Sequence, residues 1–247
     1  MQMRTFVATL VSAVLLSCGC AFASANTLVI PNGLDTTTGN ASEGLSTPSS
    51  FEYQEDFGRG QFASVGGPLL ITQIAFRAAP GTGPIDVTVG TFSIYLSTSP
   101  YYPNTINGHQ LITSNYAANK GPDNTLVLSG GPSTFFSSPG CSLPGPCPFD
   151  MVFNLSTPFV FNPHDGTLLM DVLFTGWTDN GAGSLDAERF SSSLASVTAE
   201  VSASDQVDLG GPIVQIGFTP VPEPASMTLL AAGLAAISFS IRRKLVP

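Results

Sequence analysis

Residues 92–97 read Phe-Ser-Ile-Tyr-Leu-Ser, and residues 149–155 read Phe-Asp-Met-Val-Phe-Asn-Leu. In the first, Phe92, Ile94 and Leu96 alternate with Ser93, Tyr95 and Ser97; in the second, Phe149, Met151, Phe153 and Leu155 alternate with Asp150, Val152 and Asn154. A period of two puts one face of an extended chain in an apolar core and the other toward water, so both stretches read as strands. Further strands with one apolar face are expected over 69–77, 125–129, 167–175, 195–201 and 212–218.

Turn chemistry separates these runs. Asn32-Gly33, Pro80-Gly81, Asn107-Gly108, Asn180-Gly181 and three Gly-Gly-Pro units at 66–68, 130–132 and 210–212 leave no room for long helices. Only Ser114 to Lys120 looks locally helical, with Ser114 as a cap. Short strands without crossover helices predict an all-β body over residues 26–220, an antiparallel β-sandwich of jelly-roll type. Two segments echo each other, Gln73-Ile74-Ala75-Phe76 and Gln215-Ile216-Gly217-Phe218, each after a Gly-Gly-Pro unit. Shared strand chemistry accounts for this without an internal repeat.

Composition narrows the functional classes. The 247 residues are 43% hydrophobic and only 10% charged, with a formal net charge of −9. That is enough apolar material for a core, and too few cations to neutralise phosphates, so nucleic acid is not an expected partner. Within the body, Arg59, Arg77, Lys120 and Arg189 are the only cations, against sixteen acids.

Both ends differ from the body. Arg4, an apolar run from Phe6 to Leu16 and the small residues around Ala23 and Ala25 follow the order of a secretory signal peptide over residues 1–25, cut by signal peptidase to leave Asn26 first. At the other end, Val221-Pro222-Glu223-Pro224 precedes an apolar stretch from Ala225 to Ile241 and then Arg242, Arg243 and Lys244. Those 17 apolar-stretch residues make roughly 25 Å of helix, the short limit for a transmembrane span, and the cations would hold its end in the cytoplasm. The prolines keep the preceding segment extended and accessible to a processing enzyme.

This arrangement over residues 221–247 resembles the PEP-CTERM sorting signal of bacterial surface proteins, with Pro222-Glu223-Pro224 as its motif and Arg242-Arg243 as its basic tail. The resemblance implies an exosortase partner in a Gram-negative organism that exports polysaccharide. It also implies anchoring in the inner membrane before processing, and a place at the cell surface or in the extracellular matrix afterwards. An ordinary anchor that is never cut is the alternative. The body loosely resembles the β-rich ectodomains that often precede this tail, around Ile74-Ala75-Phe76-Arg77 and Gly121-Pro122-Asp123-Asn124-Thr125.

Chemistry-bearing patterns are sparse. Cys18 and Cys20 leave with the signal peptide, and Cys141 and Cys147 flank a turn-forming Ser-Leu-Pro-Gly-Pro, so a small disulfide loop is expected in an exported chain. His109 and His164 sit in loop-like sequence, and no nucleophile elbow, phosphate loop or His-Glu-x-x-His is present. Glu52, Glu55 and Asp56 lie among Phe51, Tyr53 and Phe57, residue types that glycoside hydrolysis uses, yet they read as an acidic, partly exposed loop or strand edge. Asp179, Asn180 and Asp186 are weak calcium candidates around flexible glycines, and Asp205 and Asp208 weaker ones. No catalytic residue and no obligatory cofactor is assigned. The expectation is a non-enzymatic structural or adhesive protein associated with exopolysaccharide. The alternative is a carbohydrate-binding module with an exposed aromatic strip or a calcium-supported cleft near Trp177, which joint exposure of Trp177, Tyr101 and Tyr102 would mark.

Overall fold

A computed structural model of the chain describes residues 26–44, 49–101, 112–132, 134–181, 183–190, 198–201, 207–221 and 233. The strands are β1 Asn26–Ile30, β2 Ala41–Gly44, β3 Ser50–Phe57, β4 Leu69–Phe76, β5 Ile85–Val89, β6 Thr91–Ser99, β7 Thr125–Gly130, β8 Thr134–Ser138, β9 Met151–Phe161, β10 Thr167–Thr175, β11 Thr178–Asp179, β12 Ser184–Arg189, β13 Thr198–Val201, β14 Val207–Pro212 and β15 Val214–Pro220. Helix among the described residues is limited to a 3₁₀ turn at Arg59–Phe62, a single turn, α1, at Tyr116–Asn119, and the isolated Gly233. None of it is long and apolar enough to cross a membrane. The stretch 225–241 and the signal-peptide reading of 1–25 lie outside the described residues, Gly233 apart.

All strand pairings are antiparallel and fall into three sheets, ordered β1-β15-β4-β9, β2-β12-β14-β13-β3-β10-β6-β7 and β11-β5-β8. One apolar cluster draws side chains from all three, including Ile74, Phe159 and Ile216 from the first, Ile94, Leu168 and Met170 from the second, and Ile85 and Val87 from the third. The apolar faces of 92–97 and 149–155 point inward as expected, but Ser97, on the side expected to face water, is buried under Gly121. Phe92, Ile94, Leu96, Met151 and Phe153 are buried, while Val152 and Asn154 are exposed.

Two elements depart from the sequence expectation. β10, Thr-Leu-Leu-Met-Asp-Val-Leu-Phe-Thr, is buried on both faces for most of its length, because the core covers one side and the chain around α1 covers the other. β3 is neither loop nor edge; it lies between β13 and β10, and Gln54, Glu55 and Asp56 are fully buried. The cap of α1 also falls one residue later than expected, at Asn115, whose side chain accepts from the Ala118 amide at 3.3 Å.

The echoed segments are direct neighbours. β4 and β15 pair antiparallel with Ile74 opposite Ile216, and β1 pairs with β15 so that Asn26 lies opposite Phe218. The start and the end of the body are therefore side by side at one end of the same sheet.

Candidate functional site

Strand geometry sends Phe51, Tyr53, Glu55 and Phe57 of β3 to one face and Glu52, Gln54 and Asp56 to the other. Pairing then decides what each meets. On the core side Glu55 stands opposite Glu200 of β13. The Tyr53 hydroxyl lies 2.8 Å from a Glu200 oxygen and 3.0 Å from Glu55 Oε2. The Arg189 guanidinium bonds the other Glu200 oxygen and also reaches Glu43.

Tyr53 has one proton to give and two carboxyls to face. Its hydroxyl is placed as donor to both, and Glu200, whose carboxyl burial also raises, is the one that Arg189 holds. Burial first, and then the Glu200 charge, push the Glu55 carboxyl well above its ordinary value. Glu55 Oε1 lies against Gly211, where a Cβ would come within 2.6 Å of it at φ +155°, so that backbone seals the group in. Asp56 is likewise pushed well up by burial, against the opposing hydrogen bond from the Thr167 hydroxyl.

The other face of β3 carries a second polar chain. Thr113 N–H donates to Asn119 Oδ1 at 2.9 Å, Asn119 Nδ2 donates to Gln54 Oε1 at 2.8 Å, and Gln54 Nε2 donates to Asp171 Oδ1 at 3.1 Å. Lys120 Nζ then sits 2.8 Å from Asp171 Oδ2 and 3.0 Å from Glu52 Oε1. Burial raises the Asp171 carboxyl to about 6, with Lys120 opposing the rise and Glu52 adding to it. Burial disfavours the Lys120 ammonium, yet its bonds to Asp171 and Glu52 outweigh that and raise it overall. The chain from Thr113 to Asp123 is a strap over the sheet. Asp123 accepts from the Thr98 amide and hydroxyl at 2.8 and 2.7 Å. A Cβ at Gly121 would fall 1.9 Å from the Thr98 carbonyl oxygen, so the close approach requires glycine.

A third pair joins two sheets. Arg77 follows β4 and is fully buried; its Nε donates to Asp186 Oδ2 of β12 at 2.8 Å, and its Nη2 to the Thr37 carbonyl at 2.7 Å. Asp186 also accepts from the Gly39 amide at 3.1 Å. Its carboxylate thus faces Arg77 and does not converge with Asp179 and Asn180, which bond Gly181 N and Thr88 Oγ1. Among the described residues no group of three or more His, Cys, Asp or Glu side chains is placed to hold a metal ion. Asp208 is exposed on β14, and Asp205 lies outside the described residues.

Cys141 and Cys147 are disulfide-bonded, with Cα atoms 5.5 Å apart. His164 is exposed in its loop; His109 lies outside the described residues. The grouping of Trp177 with Tyr101 needs correction. Trp177 packs on Phe51 and Phe174 beyond the Thr91–Thr175 end of β6 and β10, whereas Tyr101 packs with Ile112 and Tyr116 beyond the opposite Ser99–Thr167 end. A strand of that length separates them by roughly 25 Å, and Tyr102 lies outside the described residues.

Nothing in the alternation pattern marks these polar chains. The missed signal is the polar residue inside an otherwise apolar run, Asp171 in β10 above all. Of the processing residues, Asn26 begins β1 and Val221 follows β15 directly, its amide donating to the Pro68 carbonyl at 2.9 Å. Ala23, Ala25, Pro222, Glu223, Pro224, Arg242, Arg243 and Lys244 lie outside the described residues.

Residues 220–244 match the PEP-CTERM protein-sorting motif. The motif implies an exported protein that an exosortase recognises and that is sorted to the cell envelope or surface. No curated protein is significantly similar to the chain.

Proposed function

We propose that the body is a non-enzymatic structural or adhesive component of the cell surface or extracellular matrix, associated with exported polysaccharide and delivered by tail-directed sorting. The observation that carries this reading is the junction. The sorting motif begins where β15 ends, at a residue hydrogen-bonded to Pro68, so the body is presented against the envelope without a spacer. Its layers form an antiparallel sandwich of jelly-roll type, a reading supported by the one apolar cluster shared by the sheets. The signal-peptide cut between Ala25 and Asn26 would release a chain end already in register with β15. Before processing, two hydrophobic ends would leave the same end of the sheet toward the inner membrane. Arg77, Lys120 and Arg189 are committed to internal ion pairs, which suits a braced scaffold.

The test follows the full-length chain in a host with exosortase and polysaccharide export. Glu223→Ala is expected to cross the inner membrane and accumulate with its tail attached, read by mass spectrometry of the surface fraction. Blocking polysaccharide synthesis is expected to shift trimmed body from the matrix to the medium. Normal trimming of the variant removes the role of Glu223, and unchanged retention without polysaccharide removes the association. A carbohydrate-binding module displayed by the same route is the second reading. What favours it is half-buried Trp177 stacked edge-on to Phe51 and Phe174.

A further inference from the structure

We propose that Lys120 and Asp171 condense to an intramolecular amide, with Glu52 as the proton carrier, so that the strap is covalently stapled to β10. The body contains a single lysine; its other cations are arginines. That one primary amine lies 2.8 Å from a carboxyl oxygen whose residue is 1% exposed, and 3.0 Å from a second carboxyl. Gln54 Nε2, 3.1 Å from the other Asp171 oxygen, polarises the carbonyl as an amide donor aimed at a developing oxyanion does. Every part that acyl transfer to an amine requires is in contact: nucleophile, electrophile, polarising donor and proton carrier.

The resting pair is ammonium and carboxylate. Reaction proceeds from the tautomer in which a proton has passed from Nζ to the carboxyl pair. Nζ then attacks Asp171 Cγ, a C–N bond forms, and the C–Oδ2 bond breaks. Nitrogen gives up two protons in all, and both end on the departing oxygen by way of Glu52. One ammonium and one carboxylate become one amide and one water, with no oxidant or other reactant. Holding the two groups together supplies an effective concentration on the order of 10⁵–10⁸ M, which offsets the unfavourable release of water into an aqueous medium. The strap is fixed at this point by its neighbours, since Gly121 lies against the Thr98 backbone and Asp123 grips Thr98 on the far side of Lys120.

Trypsin reads the bond directly. Arg77, Lys120 and Arg189 are the only cleavage sites between residues 60 and 241. Full-length protein recovered from the host is denatured, reduced, digested and weighed. The staple predicts a peptide 78–189 that resists cleavage after Lys120 and is lighter than its sequence by one water. Peptides 78–120 and 121–189, at their sequence masses, overturn the proposal. Glu52→Gln is expected to yield those two peptides, and a stapled Glu52→Gln protein overturns the role given to Glu52. Should that variant fail to fold, the wild-type map alone decides whether the bond exists.

Discussion

Replacing Asp186 with alanine breaks the most deeply buried ion pair among the described residues. Arg77 is 0% exposed and Asp186 1% exposed, and the pair ties the end of β4 in the four-stranded sheet to β12 in the eight-stranded one. In Asp186→Ala the guanidinium stays buried with the Thr37 carbonyl, the face of Phe149, 4.9 Å away, and the more distant charge of Asp35 around it. An uncompensated buried charge of this kind costs about 3–5 kcal/mol. Loss of the carboxylate also strands the Gly39 amide, for about 1 kcal/mol more. A total near 5 kcal/mol is a large share of the roughly 5–15 kcal/mol that holds a domain together. In a body of this size it lowers the melting temperature by about 10–20 °C.

Thermal and urea unfolding of the full-length chain at neutral pH, with the disulfide intact, measure the loss. A double variant, Arg77→Met with Asp186→Leu, removes both charges and fills the space. It is expected to be about 2 kcal/mol more stable than Asp186→Ala, because no unpaired charge remains. An Asp186→Ala protein within about 1 kcal/mol of wild type, or a double variant less stable than either single change, refutes this account of the pair.

Glu55→Gln keeps an oxygen that can accept from Tyr53 and removes a titrating group. A carboxyl whose folded pKa is raised leaves the native state holding more protons, so wild-type stability falls as pH rises above the ordinary carboxylate range, by at most about 1.4 kcal/mol per pH unit for this group. Unfolding curves from pH 4 to 8 should therefore diverge in favour of the variant as pH increases; parallel curves contradict the raised Glu55 carboxyl. Cys141→Ser with Cys147→Ser opens only a short loop and is expected to cost about 2 kcal/mol in denaturant unfolding, with the fold retained by circular dichroism.

How much of this was legible beforehand depends on whether the cause is local. The alternation in β6 and β9 is a local consequence of one buried face, and it located both strands. Local polarity misled at β3. Glu52, Glu55 and Asp56 look like edge residues until β13 and β10 are placed on either side, and their partners lie far away in sequence, with Tyr53 and Glu200 separated by 147 positions. The near-continuous apolar run of β10 indicated burial on both faces, which the expectation of one apolar face overlooked. Asp171 within it then needed partners, and Gln54 of β3 and Lys120 of the strap provide them. The cap of α1 moved from Ser114 to Asn115 for a similar reason: both side chains can cap, and the anchoring of Asn119 fixes which one is in phase.

The buried acids also change what the composition means at the surface. Sixteen acids against four cations describe a strongly anionic body that would repel acidic polymers. Yet Glu55, Asp56, Asp171, Asp186 and Glu200 are all at most 1% exposed, and among them only Arg77 is an equally buried cation. Burial pushes the Glu55 carboxyl well up, and Asp171, Asp186 and Glu200 face cations directly. Each internal pair cancels within itself and leaves the net charge unchanged, so the outside of the body stays anionic, with a field that decays over about 8 Å at physiological salt. Repulsion from an anionic exported polysaccharide is correspondingly short-ranged. Close approach then rests on the uncharged Ser, Thr, Asn and Gly of the surface, which offer hydrogen bonds to sugar hydroxyls of either polymer charge. The internal ion pairs that brace the sheets thus use up Arg77, Lys120 and Arg189, and the matrix proposed for this body would have to be met through its uncharged surface.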